Sequence, residues 1–248
     1  IARFKNARIY GFGATVKGRY DGADDLITGL IGPVLARRTF EEAVKENAIC
    51  PIKVFFVEVP FVPWVCNDRN QAYRQLVYKN ETLFELVREI SNSHIPEDWQ
   101  TLMFIDQKQQ ADVISTIIEN TEIAVASRMS KKERRDLFER MASNEVKRCV
   151  CTSIYAQGVT FPDLRVMVNV AGGGGHISSI QKPGRLAQIR ENKKEGFLID
   201  FLFTPTKDTS ANMAWQQVIR DSYARMKTYG SMGYQVKIIK SLNELDFS

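Results

Sequence analysis

Two stretches in the second half of the chain carry residue types suited to handling phosphate. The first begins Thr152-Ser153 and continues Tyr155-Ala-Gln-Gly158-Val-Thr160-Phe-Pro162-Asp163. A hydroxyl pair at the end of a strand, followed by a glycine turn, can hydrogen-bond a phosphate through side chains and amides. The same residues also make an ordinary strand-to-helix loop with a Ser/Thr cap. The second stretch is Gln181-Lys-Pro-Gly184-Arg185-Leu-Ala-Gln188-Ile-Arg190. A guanidinium held on a rigid element can reach the γ-phosphate of a nucleotide bound by a neighbouring lobe and stabilise charge in phosphoryl transfer. Taken singly, an arginine on a helix is more often a solvated surface residue.

Other chemistry-bearing residues read blandly. Cys50, Cys66, Cys149 and Cys151 have no metal-ligand spacing, and the Cys149-Val-Cys151 run reads as buried strand, so no metal site is expected. His94 and His176 have no partner at a ligand or catalytic spacing. The glycine run 172–175 lacks the GxGxxG pattern of a dinucleotide site. Lys131, Lys132, Arg134 and Arg135 fit a solvated helix face or a phosphate-contacting one. Trp64, Trp99 and Trp215 read as packing residues, with base stacking open to Trp64 because it follows a proline-rich turn.

The elements that must position these residues alternate along the chain. Apolar strands are predicted over 51–60, 101–105, 123–126, 148–152, 165–170, 196–203 and 234–239. Helices are predicted around 83–90, 109–118, 130–141, 179–190 and 211–229. Thr39 with Glu42, and Ser130 with Glu133, fit capping boxes that open helices. Such alternation indicates βαβ units and a mostly parallel sheet flanked by helices, in which ligands sit beyond the carboxyl ends of the strands.

Composition sets loose limits. The 248 residues are 44% hydrophobic and 25% charged, ordinary for a globular protein. Lys and Arg outnumber Asp and Glu by 34 to 29, a mild hint of a polyanionic partner. No apolar run approaches the ~18 residues of a membrane helix, and the cysteine usage suits a reducing compartment. A cytoplasmic protein, or for a phage protein one in the host-cell cytoplasm, is the expectation. The chain opens without Met, and residues 8–15 read as a strand running into a loop, so further residues are expected upstream.

Taken in order, these segments resemble the second motor lobe of superfamily 2 helicases and translocases, nearest to phage recombination helicases, excision-repair helicases and restriction-enzyme motors. Gly11-Phe-Gly-Ala-Thr15 resembles motif III, and Thr101-Leu-Met-Phe-Ile-Asp106 the motif IV strand. The segment from Cys151 to Asp163 resembles motif V, and Gln181 to Arg185 motif VI; the tail, with Ser222, Arg225, Tyr229 and Tyr234, fits the closing helix and strand. The resemblance implies a RecA-like lobe over 36–248, preceded by a remnant of a first RecA-like lobe and a linker over 1–35. It implies that Asp106, Gln107, Arg128, Thr152 and Ser153 grip a nucleic-acid backbone, with DNA favoured over RNA. It implies that Gly158, Thr160, Gly184 and Arg185 face ATP and Mg2+, and that Arg185, helped by Gln181 and Arg190, acts on the γ-phosphate.

Two positions depart from the pattern. Gln188 stands where the family usually has a second arginine, and Thr160 where it has an acidic residue. On a regular helix Arg190 would lie about 200° round from Gln188, so it would not take over that role without a local shift. No GxxxxGK[ST] loop occurs, so ATP is expected to be held mainly by an N-terminal RecA-like lobe of the same protein, and this segment alone is expected to be inactive. The rival readings are a decayed clamp or assembly module, and, more remotely, an RNA helicase or a nucleotide-dependent metabolic enzyme using the glycine run.

Overall fold

A computed structural model describes residues 10–11, 23–152, 161–174, 183–207 and 213–247. Seven strands form one sheet in the order β3-β4-β2-β5-β6-β1-β7, and every pairing is parallel. The strands are β1 (Ile52–Phe61), β2 (Gln100–Phe104), β3 (Thr121–Ala124), β4 (Arg148–Cys151), β5 (Leu164–Asn169), β6 (Gly196–Pro205) and β7 (Gln235–Ile239). The helices are α1 (Ala23–Ile31), α2 (Phe40–Lys45), α3 (Arg69–Tyr73), α4 (Glu81–Glu89), α5 (Lys108–Ile117), α6 (Lys131–Ala142) and α7 (Trp215–Ser231). The seven strands expected between 51 and 239 all occur, within about two residues of their predicted ends, while most of the strand expected in 8–15 lies outside the described residues.

Burial on both faces explains why the strands read as near-continuous apolar runs. One face packs Phe55, Val57, Ile199 and Phe201 under Leu83, Val87, Ala111 and Ile114 of α4 and α5. The other packs Phe56, Leu102, Leu198 and Leu202 against Leu137 and Met141 of α6, Leu186 and Tyr229. Both capping boxes form. The Thr39 amide donates to Glu42 Oε2 at 2.7 Å and the Glu42 amide to Thr39 Oγ1 at 3.2 Å. Ser130 and Glu133 repeat the pattern at 2.7 and 3.2 Å, which holds the Glu133 carboxyl below its usual range. The tryptophans pack as expected: Trp215 is buried and donates to the Trp64 carbonyl at 2.9 Å, while Trp99 stacks on Phe197.

One expected helix is replaced. Within 179–190 the described residues form a 3-10 turn over Pro183–Ala187, and no α-helix carries Arg185 and Arg190 together. The reason lies in Cys50, just before β1. Its amide donates to the Ala187 carbonyl at 2.9 Å, and its thiol lies 3.1 Å from the Leu186 carbonyl and 3.6 Å from that of Gln188. Those are the acceptors an α-helix continuing past 187 would need, so the chain does not go on as one beyond the turn. A second difference is α1, which falls where only a connection between lobes was expected.

Lys193 is 2% exposed and its Nζ finds no hydrogen-bond partner among the described residues. Burial pulls the amine down to about 8, with Arg165 adding to the fall and Cys50 and Asp163 opposing it. From there up to the ordinary lysine range the folded chain holds a neutral amine and the unfolded chain a charged one, so stability rises with pH across that window. Lys193→Met is therefore expected to stabilise the fold by about 1–3 kcal/mol near neutral pH. The advantage should shrink towards the upper end of the window, as thermal unfolding at the two pH values would register.

Candidate functional site

Parallel pairing brings the carboxyl ends of β3, β4 and β2 side by side, and with them the loops at 125–130, 152 and 105–107. The edge is extended by backbone bonds beyond the strands: the Ile105 amide to Cys151 at 2.9 Å, the Thr152 amide to Ala124 at 3.3 Å, and the Val170 amide to Phe104 at 2.8 Å. Asp106, Gln107, Arg128 and Thr152 are thus gathered on three adjacent strand ends. Ser153, Gly158, Thr160 and Gln181 lie outside the described residues, as does most of the segment compared with motif III.

Gln110 fixes the 105–107 loop. It is fully buried, and its side-chain oxygen accepts from the amides of Asp106 and Gln107 at 3.1 and 2.9 Å. Its amide nitrogen donates to the Val170 carbonyl at 3.0 Å, tying the end of β2 to that of β5. Asp106 accepts from the Tyr78 hydroxyl at 2.7 Å, and burial together with that carboxylate pushes the Tyr78 phenol up. Arg128 pairs in a fork with Asp112, the second contact at 2.9 Å, and the pairing lowers the Asp112 carboxyl. Both side chains are well exposed, so the pair contributes little to stability and can open to another anion.

Arg185 sits, half-buried, in the 3-10 turn that packs on β5 and β6. Its Nε is buried and has no partner among the described residues. Burial lowers the pKa of its guanidinium, with Cys151 opposing that shift. A guanidinium in that state has donors to spare for an anion. Gly184 is exposed, and a Cβ there would meet nothing within 4 Å, so backbone is open to approach beside Arg185. Arg190 is exposed beyond the turn, where its backbone bridges to Lys193.

The sequence reading missed the charged network behind this edge. Asp200 of β6 is fully buried and Arg225 of α7 is 3% exposed. Arg225 Nε meets Asp200 Oδ2 at 2.9 Å and Nη2 meets Oδ1 at 2.8 Å. Asn169 and Tyr229 donate to the same carboxylate at 2.9 and 3.1 Å, and the Phe201 amide at 2.7 Å. Arg225 Nη1 then donates to the Gly173 carbonyl. Gly172 and Gly173 hold φ of +67° and +79°, conformations that L side chains rarely adopt. At Gly174 a Cβ would come within 2.4 Å of Asp221 Oδ1, so Asp221, bonded to Tyr73 and Gln217, walls the loop. The signal was available: an Asp inside the run Gly-Phe-Leu-Ile-Asp200-Phe-Leu-Phe must find a buried cation.

Together, the all-parallel seven-stranded sheet and the helices that cover it are those of a RecA-like lobe, with the candidate loops gathered at one edge. Residues 78–190 match the helicase conserved C-terminal domain family. The chain is 23% identical over 205 residues to a protein named helicase 22 of Sulfolobus islandicus filamentous virus, covering 75% of this chain and 36% of that one. Its fold is similar to the type ISP restriction-modification enzyme LlaBIII bound to DNA (TM-score 0.59, 13% identity, 88% of this chain and 17% of that one). It is also similar to Saccharomyces cerevisiae Dbp5 bound to RNA and ADP BeF3 (TM-score 0.56, 15% identity, 90% and 49%). The matched segment is a little under half of the chain, and the chain spans about a third of its viral relative's length. No helix among the described residues is long and apolar enough to cross a membrane.

Arg225→Met would leave the Asp200 carboxylate buried without its cation. Removing one partner of such a pair is expected to cost about 3–5 kcal/mol, read as a lower urea midpoint at unchanged slope. A loss under about 1 kcal/mol would mean that the pair does not anchor the fold.

Proposed function

We propose that this chain is the second motor lobe of an ATP-dependent helicase or translocase that moves along a nucleic-acid strand, DNA in the first instance. The observation that carries the reading is Arg185: half-buried on the turn packed against β5 and β6, with its Nε unpartnered among the described residues. A preceding RecA-like lobe of the same protein would hold ATP and Mg2+. Arg185 would reach the γ-phosphate across the cleft, with Gly184 and, from the segment outside the described residues, Gly158, Thr160 and Gln181 beside it. Arg190 has no part in this version, because the turn ends before it.

The first lobe also has a place to dock. Tyr10, Leu26, Leu30, Ile31, Val34 and Leu35 are 41–81% exposed, an apolar concentration that suits the remnant and linker assigned to residues 1–35. Loops 105–107, 125–130 and 152 would hold the strand's phosphates, joined by Lys131 and Lys132 in the exposed first turn of α6. Closure over ATP and release after hydrolysis would then step the lobes along the strand. The DNA preference rests on the resemblance to DNA motors and on the DNA-bound LlaBIII neighbour; the RNA-bound Dbp5 makes RNA the second strand to test.

In the complete polypeptide, Arg185→Ala is expected to lower strand-stimulated ATP turnover by about 1000-fold, the lower end of what an arginine finger contributes. Binding to single-stranded DNA should stay within about twofold, since phosphate contacts set that affinity. Turnover unchanged by Arg185→Ala would favour the clamp reading. Asp112→Asn frees Arg128 from its carboxylate and should tighten DNA binding most at low salt, as titrations across salt concentrations would report.

A further inference from the structure

The turn that carries Arg185 is held by a residue distant in sequence. Cys50 is 3% exposed and stands before β1, at the amino edge of the sheet. Its amide and thiol engage the carbonyls of Leu186, Ala187 and Gln188, the three residues that follow Arg185. Gly196, the first residue of β6, closes the same grip. A Cβ on Gly196 would lie 2.6 Å from Leu186 Cβ and 2.7 Å from the Leu186 carbonyl oxygen. Neither contact can be relieved by a rotamer change, because one atom is backbone and the other is fixed to it. The Gly196 amide donates to the Pro51 carbonyl at 2.9 Å, which locks the two strand starts together beneath the turn.

We propose that Cys50 and Gly196 are positioning residues for Arg185: they end the helix early and set the depth at which its guanidinium stands. The proposal rests on Arg185 acting in ATP hydrolysis. Leu186 is fully buried and packs in the core of that face, so the main chain beside Arg185 has two fixed points, Leu186 in the core and Cys50 below it. A shift of the turn moves the guanidinium, with Gly184 beside it, and leaves the loops proposed to bind nucleic acid in place. This predicts an effect on the chemical step and little effect on either affinity. Nothing in the sequence of the motif itself reveals this constraint, since Cys50 lies 136 residues from Leu186 and Gly196 falls beyond the motif.

The test is steady-state ATP hydrolysis by the complete polypeptide with saturating single-stranded DNA, each variant first checked for a cooperative thermal transition. Gly196→Ala must push the Leu186 backbone and is expected to lower kcat by about 100-fold with KM for ATP within about twofold, the effect of a displacement near 1 Å. Cys50→Ala loses one donor to the Leu186 carbonyl and should lower kcat by up to about tenfold, while Cys50→Ser keeps a donor and should recover most of it. If Gly196→Ala does not fold, the Cys50 pair decides. Cys50→Ala with parental kcat, or a folded Gly196→Ala with parental kcat, overturns the positioning role provided Arg185→Ala is slow in the same assay. A rise in KM at constant kcat overturns it as well. Parental turnover by Arg185→Ala removes the motor reading itself, and the positioning proposal with it.

Discussion

A carboxylate with no solvent exposure has to be paired, and in this fold that demand falls on Asp200. Taking both ions of an Asp–Arg pair out of water costs several kcal/mol each, recovered only where geometry and additional hydrogen bonds are good. Here they are: Arg225 binds both oxygens, and Asn169, Tyr229 and the Phe201 amide fill remaining acceptor sites. Satisfying Asp200 thereby joins three elements: β6, which carries it, β5 through Asn169, and α7 through Arg225 and Tyr229. The Gly173 carbonyl takes the last donor, so the loop leaving β5 is set by the same pair.

From that anchor the remaining geometry follows. A parallel sheet covered on both faces leaves its strand ends as the only edges where loops can meet a ligand. At the carboxyl edge, Gln110 ties the β2 loop to β5 and Arg128 rests on Asp112. At the amino edge, Cys50 and Gly196 act on the turn that crosses between the two. The site is therefore held from both ends of the sheet. Its preorganisation comes from buried contacts, while Arg128, Lys131 and Lys132 stay exposed at the proposed strand-binding surface.

The sheet was legible because each strand announces itself as an apolar, β-branched run, and the caps because Thr39 with Glu42 and Ser130 with Glu133 are local pairs. The turn at Arg185 was not legible. Helical spacing over 179–190 is intact, and only Cys50, 136 residues away from Leu186, competes for its carbonyls. Asp200 stood in plain sight within an apolar strand, yet its partner could not be picked from sequence among the 34 basic residues. The exposed face of α1 escaped for the opposite reason: its apolar spacing lay among glycines and aspartates that read as a connection.

The central claim is that the carboxyl edge of β3, β4 and β2 grips a nucleic-acid strand. Amide hydrogen exchange on this chain, with and without a single-stranded oligonucleotide at low salt, tests it most directly. The account predicts slowed exchange confined to 105–107, 125–130 and the residues following β4, with the amino-edge segments around Cys50 and Lys193 unchanged. Protection concentrated at that amino edge, or none at an oligonucleotide concentration that saturates binding, would contradict it.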